Sequence, residues 1–198
     1  MISNFPDRPT MPEDLNYQVT RREWEILNES EFTCACCGFV SKSSPEVVSG
    51  YMEVIIFKDR PTVFCALCSS ALRLGRTVNG TINHGLILHA PDITQGQLSN
   101  AARILNTAII EELPYQHGAN AVQAKFQRMQ ASKKDYLFMV DEGSTQQTVN
   151  ALKSVRRNFE AEASKIFKHL RYFPSRATYR HVFQYWYRTN PDYFAKPV

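Results

Sequence analysis

The sequence predicts an α+β fold in which a four-cysteine module is embedded in a mostly helical domain. Two Cys-x-x-Cys pairs enclose a segment rich in β-branched and aromatic residues, and much of the chain after residue 93 has apolar residues at helical spacing. With 198 residues, 43% of them hydrophobic, the chain is long enough for one core but short for two ordinary domains.

The first part of the chain is predicted to form a short helix and a β-hairpin. Residues 21–27 are helix formers with a weak apolar face. Residues 51–57 predict a buried strand, 58–61 a turn, and 62–64 a second strand that pairs back on the first. A helix is expected over residues 66–74, with the positive end of its dipole towards the second cysteine pair.

The rest of the chain is predicted to be mainly helical. Thr94 and Gln97 have the form of a capping box, and Pro114 stops the helix that they start. The predicted elements are an extended segment at 85–89 and helices at 94–113, 119–132 and 143–170. The predicted division is an arm with a short helix at 1–31, the cysteine module and following strand at 32–92, and a helical region with an aromatic, basic end at 93–198.

The cysteine spacing predicts one structural zinc ion. Two residues between ligands allow a tight knuckle to aim both sulfurs at one ion, and Gly38 supplies the permissive backbone. Four thiolates complete the tetrahedral coordination of Zn²⁺ and leave no position for water. Cys36 is then a spare thiol, although it could compete for the metal. The predicted ligands are Cys34, Cys37, Cys65 and Cys68.

The sequence also indicates the cellular compartment of the protein and the charge of a partner. The chain has no run of about 18 apolar residues and no basic, apolar secretory leader, which favours a cytoplasmic protein and argues against disulfides at the cysteine pairs. The net charge is +4, but residues 150–198 alone carry ten Lys or Arg and three Asp or Glu. A basic end on a mildly acidic body indicates an anionic partner or a solvated helix face.

The order of knuckle, hairpin, Cys-x-x-Cys and helix is that of a treble clef, and it resembles the zinc-bearing HNH endonucleases. Those enzymes carry histidines on the hairpin and on the helix, which bind a divalent metal and activate water. Here Ile55 and Ile56 occupy the hairpin positions, and Ser69 and Ser70 follow the last cysteine. All five histidines lie beyond the module. The sequence therefore predicts an HNH-like scaffold without its chemistry, and no enzyme.

A narrower resemblance extends past the module. Residues 85–98 read Gly-Leu-Ile-Leu-His-Ala-Pro-Asp-Ile-Thr-Gln-Gly-Gln-Leu, and Asn100 and Arg103 follow. Together with the cysteine pairs, this segment resembles the DotN (IcmJ) family of Dot/Icm type IVB secretion systems over about residues 32–110. The resemblance implies a subunit recruited to the cytoplasmic face of the inner membrane. There it would bind the C-terminal tail of the coupling ATPase DotL, beside DotM and adaptor proteins, for effector secretion.

The C-terminal segment interleaves aromatic residues with arginines. Such residues are interface anchors, and they also stack on single-stranded nucleic acid. Part of the set is also expected to pack on the core as a helix. Three hypotheses follow: an assembly subunit that takes no small-molecule substrate, a nucleic-acid-binding zinc protein, and a residual nuclease, with the first favoured. The residues predicted to bind a partner are Tyr179, Arg180, Tyr185, Trp186 and Arg188.

Overall fold

Helices and short antiparallel strand pairs alternate along the protein. The computed structural model describes residues 19–73, 78–79, 82–83, 85–136 and 168–195. The helices are α1 (Arg21–Glu29), α2 (Ala66–Leu72), α3 (Gln95–Ile110), α4 (Gln116–Tyr136), α5 (Arg180–Thr189) and α6 (Pro191–Phe194). The strands are β1 (Met52–Phe57), β2 (Arg60–Cys65), β3 (Val78–Asn79), β4 (Ile82–Asn83), β5 (Gly85–His89) and β6 (Leu170–Pro174). Within these ranges, no helix combines the length and apolar character needed to cross a bilayer.

The predicted hairpin and the helix after it are both present. Strands β1 and β2 pair antiparallel, with Met52 opposite Cys65 and Phe57 opposite Arg60. Helix α2 begins at the next residue after β2. The main-chain N–H of Ala35 donates a 2.9 Å hydrogen bond to the carbonyl of Val63, which ties the first cysteine pair to the hairpin.

The predicted helix from residue 143 to about 170 is wrong at its C-terminal end. Leu170 begins strand β6, which pairs antiparallel with β5. Every residue of β6 is buried. The apolar residues of this segment are therefore buried in a strand paired with β5, and not on the face of a helix. The side-chain amide of Gln95 donates to the main-chain carbonyl of Tyr172 at 2.8 Å and accepts from the main-chain N–H of Tyr172 at 2.9 Å. It thus makes the pair of hydrogen bonds that a neighbouring strand would make. Residues 143–167 lie outside the described residues.

Helix α5 covers the cysteine module. The hydroxyl of Tyr185 donates to the carbonyl of Lys42 at 2.6 Å, and the indole N–H of Trp186 donates to the carbonyl of Gly50 at 3.0 Å. The module and α5 therefore bury their apolar residues together. This shared cluster includes Leu27, Phe39, Met52, Phe64, Leu67, Val182, Phe183 and Trp186.

Helix α3 lies between two parts of the core. The predicted capping box is confirmed, since the Thr94 hydroxyl accepts from the N–H of Gln97 and the Gln97 amide accepts from the N–H of Thr94. On one side of α3, Leu98 and Ala102 pack in a second apolar cluster, which also contains Phe126 of α4. The side that faces away from this cluster carries polar residues that are also buried, and it contacts the cysteine module.

Candidate metal centre

The four predicted ligands converge on one point. The sulfurs of Cys34, Cys37, Cys65 and Cys68 all lie within 4.8 Å of one another. The Sγ atoms of Cys37 and Cys65 are 3.8 Å apart. Thiolates about 2.3 Å from a tetrahedral ion are about 3.8 Å from each other, whereas disulfide sulfurs are about 2.0 Å apart. The arrangement fits a metal ion, and no other group of three or more ligating side chains occurs among the described residues.

Local backbone geometry explains how the first cysteine pair is presented. Gly38 adopts a φ of +70°, and its N–H donates to the carbonyl of Cys34 at 2.8 Å. The N–H of Cys34 in turn donates to the carbonyl of Phe39 at 2.9 Å. This tight loop turns both sulfurs towards the second pair, of which Cys65 ends β2 and Cys68 lies in α2. Cys36 is half-buried and does not belong to the converging set.

A buried arginine from α3 contacts the cluster. Arg103 is fully buried, and its Nη2 lies 3.4 Å from the Sγ atoms of both Cys37 and Cys65. Its Nη1 donates to the side-chain oxygen of Asn100 at 2.5 Å and lies 3.4 Å from the hydroxyl of Tyr193. Burial alone would lower the pKa of Arg103, but the negative charges of Cys65 and Cys37 raise it above its ordinary value.

Two further α3 residues fix the helix against the first cysteine pair. The amide nitrogen of Asn100 donates to the carbonyl of Cys37 at 2.9 Å. Gly96 approaches so closely that a Cβ there would lie 2.3 Å from the carbonyl oxygen of Cys36. Gly96, Asn100 and Arg103 are spaced by four and three residues, so they share one face of the helix. The sequence-based interpretation assigned none of them to the metal site, although a glycine, an amide and a cation at this spacing are a usable signal.

Alanine in place of Gly96 is expected to destabilise the protein by about 1–3 kcal/mol, because the methyl group must push α3 away from a main-chain carbonyl. Gly118 is the matched control, since it also lies in a helix but has open space around its Cα. Alanine at Gly118 is expected to stabilise the helix by about 0.5–1 kcal/mol. Chemical denaturation measures both; a stability gain for both variants contradicts the close approach.

The positions at which the HNH resemblance would require histidine hold other residues here. Ile56 is 67% exposed on β1. Ser69 is buried, and its hydroxyl donates to a carboxylate oxygen of Glu53 at 2.8 Å. Arg73 lies 3.3 Å from the same carboxylate oxygen. This end of the module therefore contains a serine, a carboxylate and a guanidinium in mutual contact.

The five residues predicted to bind a partner do not form one exposed patch. Tyr179, Tyr185 and Trp186 are buried, since these bulky aromatic side chains cover the cysteine module and its neighbours. Tyr179 donates from its hydroxyl to that of Ser70 at 2.6 Å. Arg180 and Arg188 are exposed on α5. Which of the five residues contact a partner stays a prediction.

Comparison with known proteins finds a similar protein of a secretion apparatus. No protein-family profile matches the chain. It is similar to the Type 4 apparatus protein DotN of Legionella pneumophila, with 22% identity over 170 residues. The aligned region covers 83% of this chain and 77% of that protein. The resemblance to the DotN family, which the cysteine pairs and the segment after them indicated, is thereby confirmed.

Proposed function

We propose that this protein is a non-catalytic subunit of a type IV secretion apparatus. In this role it binds the C-terminal tail of a DotL-like coupling ATPase at the cytoplasmic face of the inner membrane, beside DotM and adaptor proteins. The observation that carries the proposal is the similarity to the Type 4 apparatus protein DotN along 83% of the chain. Membrane association is indirect, through these partners.

The proposed scaffold of this subunit is a treble clef closed by one structural zinc ion. Its support is the sulfur geometry, since the 3.8 Å separation of Cys37 and Cys65 matches that of two ligands on tetrahedral Zn²⁺. Four thiolates fill the coordination sphere, so zinc at this site orders the fold and has no position for a reacting water. The contacts of Ser69 with Glu53 and of Glu53 with Arg73, where HNH enzymes have histidine, fit a scaffold that does not cut nucleic acid.

The proposed partner surface is the exposed side of α5 with the cleft beside it. The cleft has a volume of about 300 Å³. Tyr51 and His181 give it aromatic and polar walls, and Arg188 adds a cation beside the carboxylates of Glu46 and Glu111. Such a mixed lining suits one anchoring side chain of a partner segment. Of the residues predicted to bind a partner, Tyr185 and Arg188 line this cleft and Arg180 lies on the same helix. Its other lining residues are Val47 and Gln184.

The expected result is that the full chain and a DotL-like tail fragment elute together from size-exclusion chromatography at high salt. A permanent subunit interface buries on the order of 2,000 Å² or more of largely apolar surface, which salt weakens little. Arg188→Ala is expected to weaken tail binding, because Arg188 lines the cleft and is exposed. Arg21→Ala on α1 is the matched control, since the Arg21 side chain is 94% exposed and lies outside the cleft.

A nucleic-acid-binding function is the second candidate, favoured by the basic residues of the C-terminal third. One of these, Arg171, is buried and bonded to main-chain carbonyls, so it is not available to phosphates. Nucleic-acid binding would lose orders of magnitude in affinity between about 50 and 200 mM salt. Separate elution from the tail, together with tight and salt-sensitive DNA binding, would replace the assembly function. Metal-dependent DNA cleavage that EDTA abolishes would support the residual nuclease.

A further inference from the structure

The position of a permanent positive charge against the cysteine cluster requires an explanation. Arg103 is fully buried, and burying a guanidinium costs free energy unless opposite charge and hydrogen-bond acceptors surround it. Within the part of the chain that the structure describes, the hydrogen-bond partners of Arg103 are two cysteine sulfurs, an amide oxygen and a phenol oxygen, and none is a carboxylate. Of these partners, the cysteine sulfurs are the groups that carry negative charge when they bind a metal.

A metal tetrathiolate supplies that charge. Four thiolates around one divalent ion leave a net charge of −2 at the centre, and the guanidinium is permanently +1. Nη2 carries two hydrogens, and the structure gives it two sulfur acceptors, on Cys37 and Cys65. Each of these ligands comes from a different Cys-x-x-Cys pair, so a single amino group bridges both halves of the site.

Aromatic rings hold the guanidinium in place. Its central carbon lies 3.8 Å from the ring centre of Phe39 and 4.9 Å from that of Trp186. Cations stack favourably on such rings, most strongly where water is excluded. The two hydrogen bonds of Nη1, to Asn100 and Tyr193, use the remaining hydrogens of the terminal nitrogens. The orientation of the fork towards the sulfurs is thus set by residues from the first cysteine loop, α3, α5 and α6.

We propose that Arg103 is a positioning residue of the metal centre, which neutralises part of the tetrathiolate charge and holds one ligand of each cysteine pair. This inference rests on the metal site of the proposed function. The metal centre then depends on both the cysteine module and the helical region, because the module supplies the ligands and α3 supplies the positive charge beside them. Removing Arg103 weakens metal binding even though no ligand is lost.

The test compares four full-length proteins: wild type, Arg103→Met, Arg103→Lys and Arg171→Met. Arg171 is the matched control, because it is also a buried arginine but donates to main-chain carbonyls of Ile93, Lys168 and Leu170. Zinc affinity is measured by competition with a chelator at fixed pH. Arg103→Met is expected to bind zinc about 10–100-fold more weakly, as for other residues that support metal ligands. Arg103→Lys recovers part of this loss, and Arg171→Met stays close to wild type.

Cobalt gives a readout that general destabilisation does not move. In the Co²⁺-substituted protein, loss of the two N–H···S bonds makes the thiolates stronger donors, so the sulfur-to-cobalt charge-transfer band of Arg103→Met moves to longer wavelength. The band of Arg171→Met stays in place. Equal losses of zinc affinity in the two methionine variants, or an unmoved band in Arg103→Met, overturns the inference about Arg103. A wild-type protein that binds no metal instead overturns the metal site itself.

If Arg103→Met does not fold, the contact between Arg103 and the metal ligands is tested in the wild-type protein. Loaded with ¹¹³Cd²⁺, it is expected to show scalar coupling between the metal nucleus and the Nη2 protons of Arg103, transmitted through the hydrogen bonds to sulfur. Resolved Arg103 guanidinium signals without that coupling contradict the bridge.

Discussion

Serine in place of Cys68 is expected to leave the chain without its metal and without a cooperative fold. Cys68 is fully buried in α2, where its sulfur converges with the other three. Structural zinc contributes on the order of 10–16 kcal/mol in small zinc domains, and the net stability of a whole domain is about 5–15 kcal/mol. The loss of the metal is therefore comparable to the whole net stability of a domain. Elemental analysis and thermal unfolding measure the two losses.

Cys36→Ser is the matched control for this substitution. Cys36 lies in the same loop as two of the ligands but outside the converging set. It is half-buried, so its replacement is expected to keep one equivalent of zinc and to change the stability by no more than about 1 kcal/mol. A metal-free protein with a sharp unfolding transition, or a Cys68→Ser variant that keeps its zinc, contradicts the structural role of the metal.

The parts of the fold that could be predicted are those set by neighbours in sequence. Cysteine spacing identifies the converging sulfurs because a knuckle is a local structure. The capping box of Thr94 and Gln97 starts α3 where predicted, since its bonds join residues three apart. The hairpin is likewise predictable, because β1 and β2 are adjacent along the chain.

The parts that escaped prediction depend on residues far apart in sequence. Strand β6 exists because β5, some 80 positions earlier, offers it a pairing edge, and apolar periodicity does not reveal this. Helix α3 is buried on two sides, but only its apolar side gives a periodic signal. The opposite side, with Gly96, Asn100 and Arg103, is buried through polar contacts with the cysteine module.

Alanine in place of Trp186 is expected to destabilise the protein by about 3–5 kcal/mol, the range for deleting a large buried aromatic side chain. Trp186 is fully buried, and its ring lies 4.9 Å from that of Phe39. The substitution also removes the indole hydrogen bond to Gly50, although that carbonyl keeps the Ser41 hydroxyl at 2.6 Å. Because Trp186 also flanks Arg103, zinc binding is expected to weaken as well. Chemical denaturation and chelator competition measure the two effects.

Arg188→Ala separates a core function of α5 from a surface function. Arg188 lies two residues after Trp186 but is exposed at the cleft, so its removal is expected to change stability by no more than about 0.5 kcal/mol. Arg188→Ala is therefore expected to weaken tail binding without a change in stability, whereas the main effect of Trp186→Ala is expected on stability. If Trp186→Ala instead melts like the wild type and loses only tail binding, then Trp186 is an interface anchor, and the covering of the module by α5 is wrong.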